Sequence, residues 1–307
     1  MANRQMKTQE YIMPRTILLR KRDIEELFGM SEVMKAVERA FILKGKEEAV
    51  MPPKIYLDLV KYHGDFRAMP AYVDGGAGVK WVSVYPNNPA KHGLPTVIGL
   101  IVLSDPRNGY PLAIMDGTFI IGMRTGAAGG IAVKYLARKN ARVIGVIGAG
   151  RQARTQMLAI WEVMPRIDLV KVYDVRQDAS RKYVNEMSVR LGVNARPAAT
   201  VAEAADADII VTVTLATGPV LLKEHVKPGT HINAIGADAP GKQELETTLV
   251  TSARVIVDDI EQASHSGEIN VPISMGEFKV GNIYATLGEV VAGMKEGRLN
   301  DEEITIF

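Results

Sequence analysis

The chain has 307 residues, 47% of them hydrophobic and 23% charged, and its 37 basic and 35 acidic side chains give a formal net charge of +2. This balance is typical of a globular enzyme and provides no cationic surface for nucleic acid or an anionic membrane. The absence of cysteine excludes disulfides, thiolate catalysis and cysteine-ligated zinc. We therefore expect small-molecule partners, with no nucleic acid and no membrane.

Targeting and metal-binding signals are weak. The stretch Met1–Arg15 is polar, without the apolar core of a secretory signal, and no later apolar run reaches the length of a membrane span. This predicts a cytoplasmic protein. The histidines show neither the spacing nor the acidic partners of a metal site, so we expect no bound metal.

The first half of the chain predicts an α+β region with hairpins. Apolar residues from Asp23 to Lys44 recur at helical spacing, and Ser31 and Glu32 suit the start of a second helix. Turn-forming stretches such as "DGGAG" and "DPRNGY" separate the β-type runs "IYLDLV", "VKWVSVY" and "VIGLIVL". A helix rich in small residues is then predicted to begin at Thr125 and to pack closely against a neighbour.

The second half predicts a parallel sheet covered by helices, because apolar runs alternate with helical segments. The predicted strands are 142–147, 169–175 and runs near 207–213, 230–236 and 253–259, with helices at 151–163 and up to Leu191. The boundary between the halves lies near Arg138. For the C-terminal tail, residues 283–307, the sequence predicts a helix that stops at Gly297 and then a strand. We expect this tail to fold back on the first half. The expected domains are 1–138 with 283–307, and 139–282.

The sequence "VIGVIGAGRQA" at 143–153 contains a candidate dinucleotide-binding turn. Gly148 permits a tight turn, Gly150 lets the backbone approach a pyrophosphate, and Ala153 replaces a third glycine where helix and strand pack. Arg151 and Gln152 open the following helix, whose free N–H groups would face phosphates. The short pattern alone also fits a glycine turn that binds nothing, but the predicted strand and helix around it favour a dinucleotide.

An acidic residue completes this pattern. Asp174 ends the next predicted strand, where its carboxylate can accept hydrogen bonds from both ribose hydroxyls. The same carboxylate would repel a 2′-phosphate, although Arg176 could compensate by pairing or stacking. The prediction is NAD, with NADP less favoured.

A candidate catalytic carboxylate follows the strand near 230–236. Ligands collect beyond the carboxyl ends of the strands in an open parallel sheet, and Asp238 lies there in "ADAPGKQEL". Beside a nicotinamide it could act as a general base toward an amine or water. The position also suits an N-cap for a helix around Gln243 to Leu249, and the sequence leaves both interpretations open.

Four basic residues of the first half are candidates for substrate binding: Lys54 in "MPPKIYL", Arg67 in "FRAMP", Lys80 in "VKWVSVY" and Arg124 in "MRTG". Lys80 interrupts an apolar strand, and an inward-pointing ammonium needs a ligand or a counter-charge because burying it unpaired is costly. Arg67 has the planar fork that suits a carboxylate. Each alone also fits an ordinary surface cation; their shared position in one half favours a site.

Together these residues resemble the ornithine cyclodeaminase/μ-crystallin family, most closely its archaeal alanine dehydrogenase branch. The resemblance covers essentially the whole chain and rests on the order of its motifs: "MPPKIYL", "FRAMP", "GVKWVSVYPNNP…GLPTV", "MRTGAAGG", "IGAGRQA", "HINAIGADAPGKQEL" and "GEIN". It implies an α/β fold class: a Rossmann doubly wound parallel sheet plus an α+β substrate-binding and dimerisation domain, to which a C-terminal helix returns.

The resemblance also implies roles for individual residues. Lys80 and Arg67 would hold the carboxylate and carbonyl region of the substrate, with Lys80 polarising an oxygen while Asp238 moves protons. Arg124 and Thr125 would lie near the cofactor phosphate and the substrate, and Thr96 near the nicotinamide.

The implied activity is the NAD-dependent interconversion of L-alanine with pyruvate and ammonium by a homodimer. Alternatives are ornithine cyclodeamination, NAD(P)H-dependent reduction of cyclic ketimines such as pyrroline-2-carboxylate, and crystallin-like binding of a nucleotide and a hydrophobic ligand without turnover. Ornithine cyclodeaminases carry an acidic residue near the position of Arg67, so the cation here favours a small neutral amino acid. The family pattern also continues beyond "ITIF" with a "DSTG"-like segment and another helix that this sequence lacks, and we expect this departure to affect either the stability or the completeness of this end.

Overall fold

The computed structural model describes residues 15–307, and its first half forms a six-stranded sheet. The strands are β1 (Ile17–Leu19), β2 (Ile55–Leu59), β3 (Gly64–Val73), β4 (Gly76–Val84), β5 (Val97–Ser104) and β6 (Pro111–Asp116). Their order is β1-β6-β5-β4-β3-β2, with β1 parallel to β6 and the other neighbours antiparallel. This confirms the α+β prediction; β1, β3 and β6 were not predicted as strands.

The helices of this half are α1 (Lys21–Glu25), α2 (Met30–Gly45), α3 (Asn88–His92) and α4 (Thr118–Leu136). The predicted start of the small-residue helix at Thr125 is wrong, because α4 begins at Thr118. The Thr118 N–H donates to Oδ1 of Asp116 at 2.9 Å, so a carboxylate at the end of β6 satisfies the first turn. Thr125 lies inside the helix.

The second half forms an eight-stranded parallel sheet. Its strands are β7 (Val143–Ile147), β8 (Leu169–Tyr173), β9 (Ala195–Pro197), β10 (Ile209–Thr212), β11 (His231–Ala234), β12 (Arg254–Val257), β13 (Ala285–Thr286) and β14 (Thr305–Ile306). The order is β13-β12-β14-β11-β10-β7-β8-β9. The helices are α5 (Arg151–Val163), α6 (Gln177–Leu191), α7 (Val201–Ala205), α8 (Thr247–Ser252), α9 (Ile260–Ser266), α10 (Asn270–Ser274) and α11 (Leu287–Val291). The predicted doubly wound sheet is confirmed.

The two halves meet through α4 and α5. A Cβ added to Gly130 of α4 would lie 2.7 Å from the Cβ of Ala159 on α5, so only a residue without a side chain permits this approach. The predicted close packing of the small-residue helix is thereby confirmed, and it fixes the first sheet relative to the second.

The tail departs from its predicted place. Thr305 and Ile306 of β14 pair with both β11 and β12, and Ile306 is buried in the core of the second sheet. The strands of segment 283–307 thus belong to the second sheet and not to the first half, because an apolar strand gains more by filling a gap between two parallel strands. Helix α11 does return to the first half, where it packs on α2. The domain limits themselves remain a prediction.

In residues 15–307, no helix is both long and apolar enough to cross a membrane. Most of Met1–Arg15, the polar stretch used in predicting a cytoplasmic protein, lies outside the described residues.

Candidate functional site

The candidate site lies where the order of the parallel sheet reverses. The chain runs outward from β7 through β8 to β9 and then crosses back to β10 on the other side of β7. The loops after β7 and β10 therefore diverge and leave a crevice at the carboxyl ends of the strands, which is where ligands bind in such sheets.

The glycine turn after β7 has the geometry that a dinucleotide requires. Gly148 has a φ of +96°, and a Cβ there would lie 2.8 Å from the Val213 carbonyl oxygen. Gly150 is the N-cap residue of α5, and no side chain caps the helix there. A Cβ added to Gly150 would meet nothing within 4 Å. The first turn of α5 thus presents uncapped N–H groups to open space, which fits a pyrophosphate. Ala153 is buried where α5 packs on the sheet.

Asp174 ties this turn to the tip of β8. Its Oδ2 accepts a hydrogen bond from the Ala149 N–H at 2.8 Å, and its Oδ1 accepts one from the Arg176 N–H at 2.9 Å. A carboxylate offers about four acceptor positions, so lone pairs remain for ribose hydroxyls. The Arg176 guanidinium is exposed, 3.9 Å from Asp174.

The other predicted cofactor residues divide into two groups. Arg151 donates to the Thr118 carbonyl at 3.3 Å, which places it at the contact of α5 with α4, whereas Gln152 accepts from Thr155 Oγ1 at 3.0 Å within α5. The Thr125 carbonyl on α4 accepts from Gln156 of α5 at 2.9 Å. Thr96 lies in the first half, in the loop before β5, where its carbonyl accepts the Tyr85 N–H. The cofactor contacts of all four remain predictions.

Strand register gathers the cations of the first half on one face of the antiparallel sheet. Arg67 on β3 lies directly opposite Tyr56 on β2, and Met69 on β3 lies opposite Lys80 on β4. Paired residues share a face, as do residues two apart on one strand, so Tyr56, Arg67 and Lys80 project the same way. Lys54 Nζ lies 5.5 Å from the centre of the Tyr56 ring.

This crowding alters the chemistry of Lys80. Burial, followed by the charges of Arg124, Lys54 and Arg67, lowers the pKa of Lys80 from 10.5 to about 6. Both causes disfavour the ammonium form. At neutral pH the Lys80 amine of the free protein is therefore mainly uncharged, and an anion bound among these cations would favour its protonation.

Arg67 connects the two sheets. Its Nε and Nη2 donate to the Asp65 carboxylate at 2.7 and 3.1 Å, and its Nη1 lies 3.4 Å from Oδ2 of Asp238 and 3.3 Å from the Asp238 carbonyl. The bidentate pair with Asp65 fixes the plane of the guanidinium. The longer contacts with Asp238 are weak by comparison, so a substrate carboxylate can replace them.

Asp238 lies in the loop after β11 and does not cap a helix, because the next helix, α8, begins only at Thr247 after the N-cap Glu246. Its Oδ1 accepts a hydrogen bond from Lys242 Nζ at 2.7 Å. Burial acts to raise the pKa of Asp238, but Lys242 and Arg67 outweigh burial and lower it. The carboxylate is thus ionised at neutral pH and lies beside the cations of the first sheet.

Arg124 projects from α4 and is exposed. It lies near enough to Lys80 and Asp258 to interact electrostatically with each. The structure therefore brings together Lys54, Arg67, Lys80, Arg124 and Asp238 from both halves.

Sequence reasoning missed several residues of this site. Asp65 and Lys242 carried a signal, since Asp65 is two residues from Arg67 on one strand and Lys242 is four residues beyond Asp238. Tyr56 had none: its buried hydroxyl has no hydrogen-bond partner within the described residues. A buried hydroxyl without a partner is costly, and the Tyr56 ring lies 5.3 Å from the guanidinium carbon of Arg67. Residues 15–307 contain no group of three acidic or histidine side chains that could hold a metal.

The structure combines a doubly wound sheet that has an open glycine turn with an antiparallel sheet that carries the cations. This combination defines the class of dinucleotide-binding α/β proteins in which a second sheet is suited to a substrate. A family model agrees with this class over residues 15–307. The chain belongs to the ornithine cyclodeaminase/mu-crystallin family.

Similar proteins share nearly the whole chain. An alanine dehydrogenase of Archaeoglobus fulgidus is 52% identical over 293 residues, 95% of this chain and 89% of the relative. The solved structure of an archaeal alanine dehydrogenase dimer with bound NAD is 51% identical, with a TM-score of 0.92 over 95% of this chain and 89% of that one. Thermococcus litoralis Delta(1)-pyrroline-2-carboxylate reductase, solved with NADH and L-proline, is 41% identical with a TM-score of 0.92, covering 95% and 91%.

Proposed function

We propose that this chain is an NAD-dependent alanine dehydrogenase that acts as a homodimer in the cytoplasm. The observation that carries the proposal is the meeting of Arg67 with Asp238 at the carboxyl edge of the parallel sheet. It joins a cationic layer suited to a carboxylate substrate to an ionised carboxylate beside the proposed nicotinamide site. The 52% identity to an alanine dehydrogenase supports the choice of substrate.

The cofactor would be held by the glycine turn and Asp174. The uncapped start of α5 would receive the pyrophosphate, and the Asp174 carboxylate would accept the ribose hydroxyls, which favours NAD over NADP. When bound, NADH supplies the hydride for the substrate carbon. The relatives solved with NAD and NADH support this assignment.

The substrate would be oriented by cations. The pyruvate carboxylate would replace Asp238 on Arg67 and also face Lys54, while the Tyr56 hydroxyl would donate a further hydrogen bond. Because the bound anion offsets the repulsion among the cations, it favours protonation of Lys80, and the resulting ammonium polarises the carbonyl oxygen. Asp238 would take a proton from the ammonium ion, and the ammonia so formed would attack the carbonyl carbon of pyruvate. The overall reaction converts pyruvate, ammonium, NADH and a proton into L-alanine, NAD⁺ and water.

The direct test is oxidation of NADH, followed by absorbance, with pyruvate and ammonium together and with each alone. We expect turnover only with both. Asp238→Asn should lower kcat by about 10²- to 10⁴-fold and leave the Kd for NADH within about 2-fold, whereas Asp178→Asn on the exposed surface of α6 should change neither. Absence of turnover with pyruvate and with every other small 2-oxo acid would refute the proposal, and so would full activity of Asp238→Asn.

A second candidate is reduction of pyrroline-2-carboxylate, favoured by the 41% identity to a reductase solved with L-proline. The same assay with this ketimine and without ammonium separates the two activities by kcat/KM. Ornithine gives a third arm, in which cyclisation leaves NADH unchanged. Binding of NADH without turnover in any arm would support the crystallin-like alternative.

A further inference from the structure

The loop that carries Asp238 is held by a separate segment of the chain. This Asp238 loop, residues 235–246, joins β11 to α8. The segment that holds it, here called the clamp, is residues 267–270, the "GEIN" motif that follows α9 and ends at Asn270, the first residue of α10.

Asn270 fixes the loop backbone at Gly241 and Lys242, on both sides of the peptide bond that joins them. Its Oδ1 accepts the Gly241 N–H at 2.8 Å, and its Nδ2 donates to the Lys242 carbonyl at 2.8 Å and to the Gly267 carbonyl at 2.6 Å. Asn270 is buried, so these bonds are protected from water. Gly241 has a φ of +79°, a conformation that few residues other than glycine adopt, and Asn270 stabilises the turn that contains it.

Glu268 holds the next part of the loop. Its carboxyl group accepts the N–H groups of Glu244 at 2.9 Å and Leu245 at 2.6 Å. The Glu244 carboxylate in turn accepts the Thr214 and Gly236 N–H groups at 2.6 and 2.7 Å. The end of the Asp238 loop is thereby tied to the carboxyl ends of β10 and β11.

We infer that Asn270 is a positioning residue for Asp238: it fixes the backbone of Lys242, whose ammonium holds the Asp238 carboxylate. The path consists of two contacts, 2.8 Å from Asn270 Nδ2 to the Lys242 carbonyl and 2.7 Å from Lys242 Nζ to Asp238 Oδ1. Asn270 contributes no group to the reaction and acts through the loop. The inference rests on the proposed role of Asp238.

Two other groups affect Asp238 or the clamp. Arg67 faces the carboxylate from β3 and is itself paired with Asp65. Burial, together with the charge of Glu244, raises the pKa of Glu268 to about 8. Arg67, Asp65, Glu244 and Glu268 are retained in every variant below, so differences between variants report on Asn270 and Lys242.

The test compares Asn270→Ala, Lys242→Met and the double variant with the wild-type protein. Loosening Lys242 should raise the pKa of Asp238, so the acid limb of the kcat profile should move to higher pH, by about one unit. We expect Asn270→Ala to lower kcat about 10- to 100-fold, with the Kd for NADH within about 2-fold. The double variant should show the same pH shift as Lys242→Met, because both changes remove one path.

Two further variants distinguish positioning from general destabilisation. Asn270→Asp keeps the acceptor for the Gly241 N–H and should give an intermediate shift even where Asn270→Ala does not fold. Asn185→Ala, on the exposed surface of α6, should behave as wild type. An unshifted acid limb in the folded Asn270 variants, an equal shift in Asn185→Ala, or additive shifts in the double variant would overturn the inference.

Hydrogen exchange tests the clamp itself, independently of the proposed reaction. Amides 241–245 should exchange at least 10-fold faster in Asn270→Ala than in wild type without any substrate, and unchanged exchange would refute the clamp. If this faster exchange is found but the wild-type protein shows no turnover with pyruvate and ammonium, the proposed function alone is refuted.

Discussion

Lys80 has unusual chemistry because it is buried and lies among like charges. Burial beside apolar strand neighbours is the largest cause of its lowered pKa of about 6, and the cations that add to the effect come from the segment leading into β2, from β3 and from α4. A protein gains nothing in stability from such a group, since burial and repulsion both oppose the charged form. The cost is typical of a binding site that is complete only with an anionic ligand.

We predict that Lys80→Met stabilises the free protein and abolishes most turnover. The pKa of this lysine is about 6 in the folded protein, against an ordinary value of 10.5 that applies to the unfolded chain. The unfolded chain therefore binds more protons between these values, and wild-type stability rises with pH across that window. The gain in the free energy of unfolding should therefore be larger at pH 6.5 than at pH 9, by up to about 3 kcal/mol.

Urea unfolding at the two pH values measures this difference. Lys182→Met, on the exposed surface of α6, is the matched control and should change stability little. A gain that is equal at both pH values would show that Lys80 is not held in its uncharged form by its neighbours.

Among the structural elements, the glycine turn contains two glycines with different roles, one needed for the backbone conformation and one for ligand binding. Gly148 is required by the backbone, because of its φ of +96° and the nearby Val213 carbonyl. Gly150 has open space around it and a φ of −78° that any residue adopts. The first glycine therefore serves the fold, and the second leaves room for a ligand.

We predict opposite outcomes for alanine at these two positions. Gly148→Ala should destabilise the protein by at least about 2 kcal/mol, from the positive φ and the contact with a carbonyl. Gly150→Ala should leave the free energy of unfolding within about 0.5 kcal/mol of wild type and weaken NADH binding at least 10-fold, because the methyl group fills the space expected for a phosphate. Thermal unfolding and fluorescence titration with NADH measure the two effects, and unchanged NADH affinity in Gly150→Ala would contradict the assigned site.

Helix α4 shows where local patterns mislead. Thr125 resembles an N-cap in the sequence, yet the helix begins at Thr118 because Asp116 accepts the Thr118 N–H. Propensity is a weak signal when a side chain from a neighbouring strand supplies the cap.

At the scale of the whole molecule, the antiparallel sheet has one face covered by the candidate site and one face exposed. The exposed face carries Ile55, Trp81 and Leu100, which are 68%, 40% and 42% accessible. Trp81 and Leu100 are direct partners across β4 and β5. A contiguous apolar surface of this kind is typical of a protein interface, and the dimeric relative supports a second copy of this chain as the partner.

We predict that the double variant Trp81→Lys with Leu100→Lys is monomeric where the wild-type protein is dimeric, because two charges would be buried without partners in a homodimer. Light scattering coupled to gel filtration gives the mass directly. Val189→Lys, an equally drastic change at an exposed apolar residue of α6, should leave the mass unchanged. A wild-type monomer, or a dimer in the double variant, would exclude this face as the interface.

The sequence by itself determined the features that depend on neighbours along the chain. The strand, turn and helix around Gly148 follow from local backbone requirements, and the alternation after residue 141 follows from burial on both faces of a parallel sheet. Asp174 was predicted because its distance from the turn is nearly fixed in such folds.

Only the tertiary structure decided which charges meet. Arg67 and Asp238 are 171 residues apart, and the pKa of Lys80 depends on side chains from other parts of the chain. The same holds for the insertion of β14 between β11 and β12 and for the asparagine that holds the Asp238 loop. These features arise from contacts distant in sequence, whose energies depend on burial and on distances that no local pattern encodes.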